Sequence, residues 1–377
     1  MNKPLVSLII LSYKNYHYIY EALDSVLCQD YPNIEIVISN DGSDDFDKNA
    51  VEKYLKINRK NNIKNIIINN NPKNIGTVKN INKAINLSKG EYIIMFAADD
   101  TMHDRKVISQ LLNAFNNLPK KELVVISQVG MYDLKLKKLI QPFLSNEDIN
   151  RVKTLTPKKL FAEMATRCIV PGCGICYKRK IFKKYGFFDE KYVLVEDFSY
   201  ALKLSRLGVR YNYIDTISVK HRDGGISHGN IIGETQKSKQ YDLDILNILK
   251  NEVKPHLYLL TRQQKKHFLS KLREQQWDYS YRHEIIHGTK KERRKFVAKN
   301  WKNGLDKFLS DFCTDLQDQL KGKKIILFIT GAILTLNSSK TINSIGIILI
   351  AISIFLTVLF FGKKYLIRLY NFIKFIT

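Results

Sequence analysis

Residues 90–100 read Gly-Glu-Tyr-Ile-Ile-Met-Phe-Ala-Ala-Asp-Asp, and no other stretch constrains the fold so tightly. An apolar run of strand length ends in two adjacent carboxylates. A run without polar alternation reads as a strand buried on both faces, as in a parallel sheet covered by helices. Acids at the C-terminal end of such a strand lie where open α/β sheets bind ligands. Two neighbouring carboxylates repel each other, so they need solvent, a cation or a hydrogen-bonding neighbour. A hard divalent metal carrying a phosphate ligand meets that need, because it prefers oxygen donors. The competing reading is that Asp99 or Asp100 caps the next helix.

The flanking pattern agrees with a parallel sheet. Residues 6–11, 35–39 and 65–69 read as strands, and residues 17–28, 46–60 and 77–87 as helices. With the strand before Asp99, this βαβαβαβ order predicts a doubly wound, mostly parallel α/β sheet with right-handed crossovers. No GxGxxG follows the first strand, which argues against the usual dinucleotide-binding fold. Beyond residue 123 the pattern is mixed. Residues 124–127 and 209–219 read as strands, and residues 198–207 as a helix ended by Gly208. Residues 168–177 are apolar but interrupted by Pro171-Gly172 and by Gly174.

The five cysteines are scattered, and Met1-Asn2-Lys3-Pro4 runs into a strand with no leader pattern, so reduced thiols are expected. Cys173 and Cys176 have CxxC spacing with Cys168 nearby, but no fourth zinc ligand is evident. All three read as small core residues of a strand.

The rest of the chain is built differently. Residues 236–322 read as a basic helical region. Residues 325–336 and 342–361 are strongly apolar; the second is long enough for a membrane span and the first is short for one. Lysines flank both outer ends, so by the positive-inside rule both ends are cytoplasmic and residues 323–362 form a hairpin. Residues 363–377 read as a basic amphipathic tail lying in the interface. The other reading is a single span preceded by an unrelated apolar helix. A net charge of +25 points to a negative partner, whether anionic lipid, nucleic acid or a phosphorylated substrate. Lysine enrichment in a chain also rich in Asn and Ile weakens that inference.

Ser12-Tyr13 after the first strand, Asp41-Gly42-Ser43, Asn74-Ile75-Gly76, Gly90-Glu91-Tyr92, Asp99-Asp100 and Glu196-Asp197 form one ordered set. In order and spacing the set resembles the family 2 glycosyltransferases of GT-A fold, of the bacterial cell-surface polysaccharide type. The resemblance covers residues 4–230 and implies a catalytic domain over residues 1–235. It implies that Asp41 accepts a hydrogen bond from the imide of a uracil-like base, as an acceptor-only carboxylate can. Ser12 and Tyr13 would line base and ribose. Asn74, Gly76 and Asn82 would line the donor. Asp99 would hold Mn2+ or Mg2+, with His221 as a second ligand. Ala97 stands where the family's metal motif has its first acid, which puts the ribose contact of that motif in doubt. Ile81 stands where many members have Arg, leaving Lys79 and Lys83 as the nearest cations. Asp197 would be the general base, with Glu196 and Gly172 on the acceptor side. Single displacement by such a base inverts the anomeric centre. The glycines after His221 would form a loop able to close over the donor.

The expected activity is therefore metal-dependent, inverting transfer of a sugar from a nucleotide sugar, UDP-linked by the resemblance. The acceptor would be a hydroxyl of a lipid-linked or surface-polysaccharide saccharide, at the cytoplasmic face of the membrane. Nucleic acid is not an expected partner. Transfer to polyprenyl phosphate is an alternative within the enzymes. A non-catalytic basic protein binding anionic lipid or nucleic acid is an alternative of another class.

Overall fold

The computed structural model describes residues 3–223 and 236–285, with positions 288–292, 295–296 and 299–300 beyond them. Two compact units result, Met1–Leu272 and Arg273–Thr377. The first unit begins with β1 (Val6–Ser12), α1 (Ile19–Leu27), β2 (Ile34–Asn40), α2 (Lys48–Asn58), β3 (Ile63–Asn70), α3 (Thr77–Leu87) and β4 (Tyr92–Ala97). These are the seven elements expected from the sequence. Strands β3-β2-β1-β4 lie side by side and all run parallel. Each side chain in turn faces the opposite side of the sheet. Val6, Leu8, Ile10, Ile36, Ile38, Ile94 and Phe96 belong to one cluster with α1 and α2. Ile9, Val37 and Met95 are buried too, as the opposite face demands.

Gly90 shows why the turn into β4 has its sequence. A Cβ there would lie 2.4 Å from the Ser7 backbone nitrogen. Its N–H donates to Ser7 Oγ (2.8 Å), and Ser7 Oγ donates to Glu35 Oε1 (2.7 Å). Glu35 also accepts from Lys89 N and Asn65 Nδ2, so this buried carboxylate tolerates burial and stays ionised below its ordinary range.

The second half contains β5 (Thr101–Met102), α4 (Val107–Asn116), β6 (Val124–Tyr132), β7 (Leu139–Pro142), α5 (Asn146–Thr154), α6 (Pro157–Glu163), β8 (Ile175–Lys178), α7 (Lys180–Tyr185), α8 (Glu196–Arg206) and β9 (Tyr211–Arg222). They extend the sheet as β4-β8-β6-β9-β5, with β7 on β6. Strand β8 is antiparallel to both neighbours, so the sheet is mixed rather than parallel throughout. The strand expected over residues 168–177 forms only from Ile175. Gly174, at φ 74°, is the break: its backbone conformation suits glycine and its carbonyl accepts from Ser127 N. Helix α8 is followed by Gly208 at φ 85°, the expected stop.

After the sheet come α9 (Gln236–Ile248), a π-helical turn at Leu249–Val253 and α10 (Arg262–Ser280). Residues 236–272 therefore share the first compact unit, beyond the boundary expected at 235. In the second unit Trp277 stacks on Tyr281 at 5.0 Å between ring centroids. Among the described residues no helix is long and apolar enough to cross a membrane. The expected hairpin at 323–362 and tail at 363–377 lie outside the described residues, as do the glycines after His221.

Candidate active site

The site lies at the C-terminal ends of β1, β2 and β4, beside the point where strand order reverses. Asp41 follows β2 and is buried, at 3% exposure. Its Oδ1 accepts from Ile75 N (2.9 Å) and Asn71 Nδ2 (3.2 Å), and its Oδ2 accepts from Gly76 N (3.0 Å). The carboxylate thus fastens the 74–76 loop to the end of β2. One lone-pair direction on Oδ2 is left for an incoming N–H. Gly42, at φ 71°, permits this: a Cβ there would lie 2.3 Å from the Lys73 carbonyl carbon. Asn74 is exposed at the loop's tip, and Gly76, at φ 92°, opens α3. Tyr13 is half-buried beside Ser12. Ser12 Oγ donates to Asn15 Oδ1 (3.0 Å), and Asn15 Nδ2 donates to Asp99 Oδ1 (3.1 Å). Asn15 thereby ties the end of β1 to the end of β4, a link no motif suggested.

Asn82 has a packing role. It is buried, and its amide nitrogen donates to Phe188 O (2.9 Å) and Glu190 Oε1 (3.0 Å). Of the two lysines on α3, Lys83 donates to Asn71 Oδ1 (2.6 Å), while Lys79 is exposed.

The two acids after β4 have separate environments. Asp99 is half-buried, and among the described residues its Oδ2 has no hydrogen-bond partner. Asp100 is 2% exposed. It does not cap a helix: α4 begins at Val107, and the carboxylate of Asp104 serves Lys106 N there. Asp100 instead accepts from Arg222 N (3.0 Å) and pairs with His221 Nδ1 (3.0 Å). Register explains the meeting. Thr101 lies opposite Lys220 in the β5–β9 ladder, so the residues just outside that pair face each other. Burial raises the Asp100 carboxyl, while His221 opposes that rise. Burial pulls the His221 imidazole down, but its bonds to Asp100 and Cys173 outweigh this and lift it to about 11.

Arg222 holds this corner together. It is 3% exposed, donates through Nε to Asp99 O (2.8 Å), reaches Leu134 O and pairs with Glu21 (2.8 Å). Its guanidinium lies 3.9 Å from the Tyr18 ring centroid. Arginine suits such a site because its planar fork serves several acceptors while stacking.

Glu196 and Asp197 occupy the first turn of α8, where a helix N-terminus favours negative charge. Asp197 Oδ1 accepts from Phe198 N (2.7 Å). Gly172 faces its other oxygen: a Cβ at Gly172 would lie 2.9 Å from Asp197 Oδ2. Burial, and then the neighbouring Asp197 charge, push Glu196 up to about 8. Burial raises Asp197 as well. The turn before them is held from α9. Asp244 is 1% exposed, and its Oδ2 accepts from the backbone N–H of Val193 (2.8 Å), Leu194 (2.7 Å) and Val195 (3.3 Å).

Cys173, next to Gly172, turns toward the metal corner, where a sulfur, an imidazole nitrogen and an Asp100 oxygen lie within 4.8 Å of one another. It packs partly buried against the hydrophobic core, as expected, but lies before the strand; Cys176 is the one in β8. Two consecutive residues thus touch two parts of the site, Gly172 facing Asp197 and Cys173 facing Asp100 and His221.

Residues 7–186 match the family model described as Glycosyl transferase family 2. They form a family 2 glycosyltransferase domain. The glycosyltransferase's relatives include an uncharacterized glycosyltransferase of Rickettsia typhi, 30% identical over 55% of this chain and 61% of that protein. One from Rickettsia felis is 27% identical over 68% of this chain and 41% of its own length. The chain therefore spans less than two thirds of the length of these relatives. Among solved structures, S. aureus TarS 1-349 in complex with UDP-GlcNAc is similar in fold. Its TM-score is 0.51 and its identity 17%, covering 78% of this chain and 79% of that one.

Three parts of this glycosyltransferase's site escaped the motifs: Asn15, Arg222 and Asp244. Arg222 follows His221 directly, and its signal was a lone arginine ending an apolar strand. Asp244 had no signal, since its partners are backbone amides about 50 residues away.

Proposed function

We propose that this glycosyltransferase moves a sugar, with inversion, from a UDP-sugar to a hydroxyl of a lipid-linked or surface-polysaccharide saccharide. The observation that carries the reading is the adjacency of base and metal corner through Gly172 and Cys173. An acceptor hydroxyl beside Asp197 loses its proton to the carboxylate as its oxygen attacks the anomeric carbon. The nucleoside diphosphate leaves from the opposite face, which gives inversion. Asp41 and the 74–76 loop receive the base, and Ser12 and Tyr13 line the sugar of the nucleoside.

The donor set suits a divalent cation. Asp99 offers an open carboxylate oxygen, and the neighbouring Asp100 pairs with the His221 imidazole; oxygen and imidazole donors are acceptable to Mn2+ or Mg2+. A cation held there by Asp99 and His221 supplies positive charge for the departing diphosphate. The apolar segments at 325–336 and 342–361, with their lysine flanks, support attachment to the cytoplasmic face of the cell membrane.

The test is a panel of nucleotide sugars incubated with the full chain and Mn2+, scored by nucleotide release and product linkage. UDP release from one UDP-sugar with inverted product configuration supports the proposal. Retained configuration, or release from no member of the panel, contradicts it.

A further inference from the structure

We infer that Asp100, Cys173 and His221 form a thiolate-containing site for a thiophilic divalent cation such as Zn2+ or Cd2+, inside the same corner that the proposed sugar transfer uses. The inference rests on that reading only for what occupancy would do, not for the site itself.

The three ligand atoms come from three separate segments: the end of β4, the approach to β8 and the end of β9. They close on one another within 4.8 Å, and Asp100 Oδ2 and His221 Nδ1 are 3.0 Å apart. This closed triangle excludes a Cys–His–Asp proton relay. In a relay the sulfur and the carboxylate bond opposite ring nitrogens. Two hydrogen bonds of ~3 Å across an imidazole then separate the end atoms by roughly 7 Å. Here the three candidate ligand atoms lie within 4.8 Å of one another, a spacing that one shared cation can span. Sulfur, nitrogen and oxygen donors in such a set are typical of zinc at ~2.0–2.3 Å, with a fourth position open. Mg2+ and Mn2+ prefer oxygen and gain little from the sulfur. On binding, the Cys173 S–H proton and the proton shared by His221 Nδ1 and Asp100 Oδ2 both pass to solvent as the metal bonds form. Such a cation engages His221 and so competes with the Asp99 and His221 pairing used for transfer. Zinc would then inhibit an enzyme that Mn2+ supports.

The probe is Cd2+ alone, titrated into the full chain and read by the ultraviolet thiolate-to-metal charge-transfer band. Expected is a band saturating at one equivalent. Cys173→Ser should lose it while Cys28→Ser and Cys313→Ser keep it, and His221→Ala should weaken Cd2+ binding at least ~10-fold. Circular dichroism confirms that each variant is folded. A wild-type chain with no saturable band, or a band unchanged in Cys173→Ser, overturns the inference. The readout needs no turnover: a chain that binds Cd2+ through Cys173 yet transfers no sugar upholds this site and removes the transferase reading instead.

Discussion

Gly172 approaches Asp197 so closely that a β-carbon on the first would sit 2.9 Å from Oδ2 of the second. The glycine therefore sets where the base can point. Gly172→Ala should push the carboxylate out of line and lower kcat by about 100-fold, while the KM for the donor stays near wild type. Steady-state kinetics in both substrates checks the split. A loss confined to donor KM would place Gly172 elsewhere in the site.

Asp244 receives three successive backbone amides just before the catalytic pair. Asp244→Ala leaves those buried donors without an acceptor and should destabilise the chain by ~1–3 kcal/mol. Because the same turn carries Glu196 and Asp197, kcat should fall too. Thermal melts alongside kinetics test this; a variant that melts and turns over like wild type would show that α9 does not position the site.

Asp41→Asn places an amide nitrogen or a weaker acceptor against Ile75 N and Gly76 N. The 74–76 loop should loosen, and UDP affinity should fall by about tenfold, an effect of ~1.4 kcal/mol. Calorimetric titration with UDP measures it, and unchanged affinity would remove Asp41 from the donor site.

Desolvation of the half-buried Glu196 and Asp197 side chains, and for Glu196 also the Asp197 charge, raises both carboxyls above the ordinary range. For Glu196 the sign is as follows. Its folded value of about 8 exceeds the unfolded one, so its favourable contribution is full below the unfolded value and is lost as pH rises toward 8. Glu196→Gln should thus stabilise the chain by ~1–2 kcal/mol at pH 8, with the advantage fading toward pH 4. Because Glu196 is already protonated where Asp197 ionises, Glu196→Gln should leave the acid limb of kcat near its wild-type pH. Melting curves and pH–rate profiles of the variant test both halves. An acid limb that moves to lower pH would show that Glu196 carries its charge in the folded chain.

How much of this was legible in the sequence depends on what each residue answers to. The first four strands and their helices follow from local periodicity, and α3 occupies residues 77–87 as the pattern predicts. The antiparallel insertion of β8 between β4 and β6 was not legible, because register depends on Gly174 and its distant partner Ser127. Asp99 and Asp197 could be placed from motif and helix start. The role of Asp100 could not, because it depends on the two-residue β5 ladder that brings His221 and Arg222 alongside. Asp41 was legible through the resemblance carried by Asp41-Gly42-Ser43, but the clasp on Ile75 and Gly76 requires knowing how the loop folds back. For Cys173 the core packing was legible, because cysteine favours burial, but its place before β8 was not, because that depends on the break at Gly174.

The most direct measurement compares Asp197→Asn with wild type in UDP-sugar transfer at saturating Mn2+, with UDP binding measured on both proteins. Loss of the base should lower kcat by ~100- to 10,000-fold while UDP binds as before. An Asp197→Asn chain that transfers sugar at the wild-type rate would contradict the account.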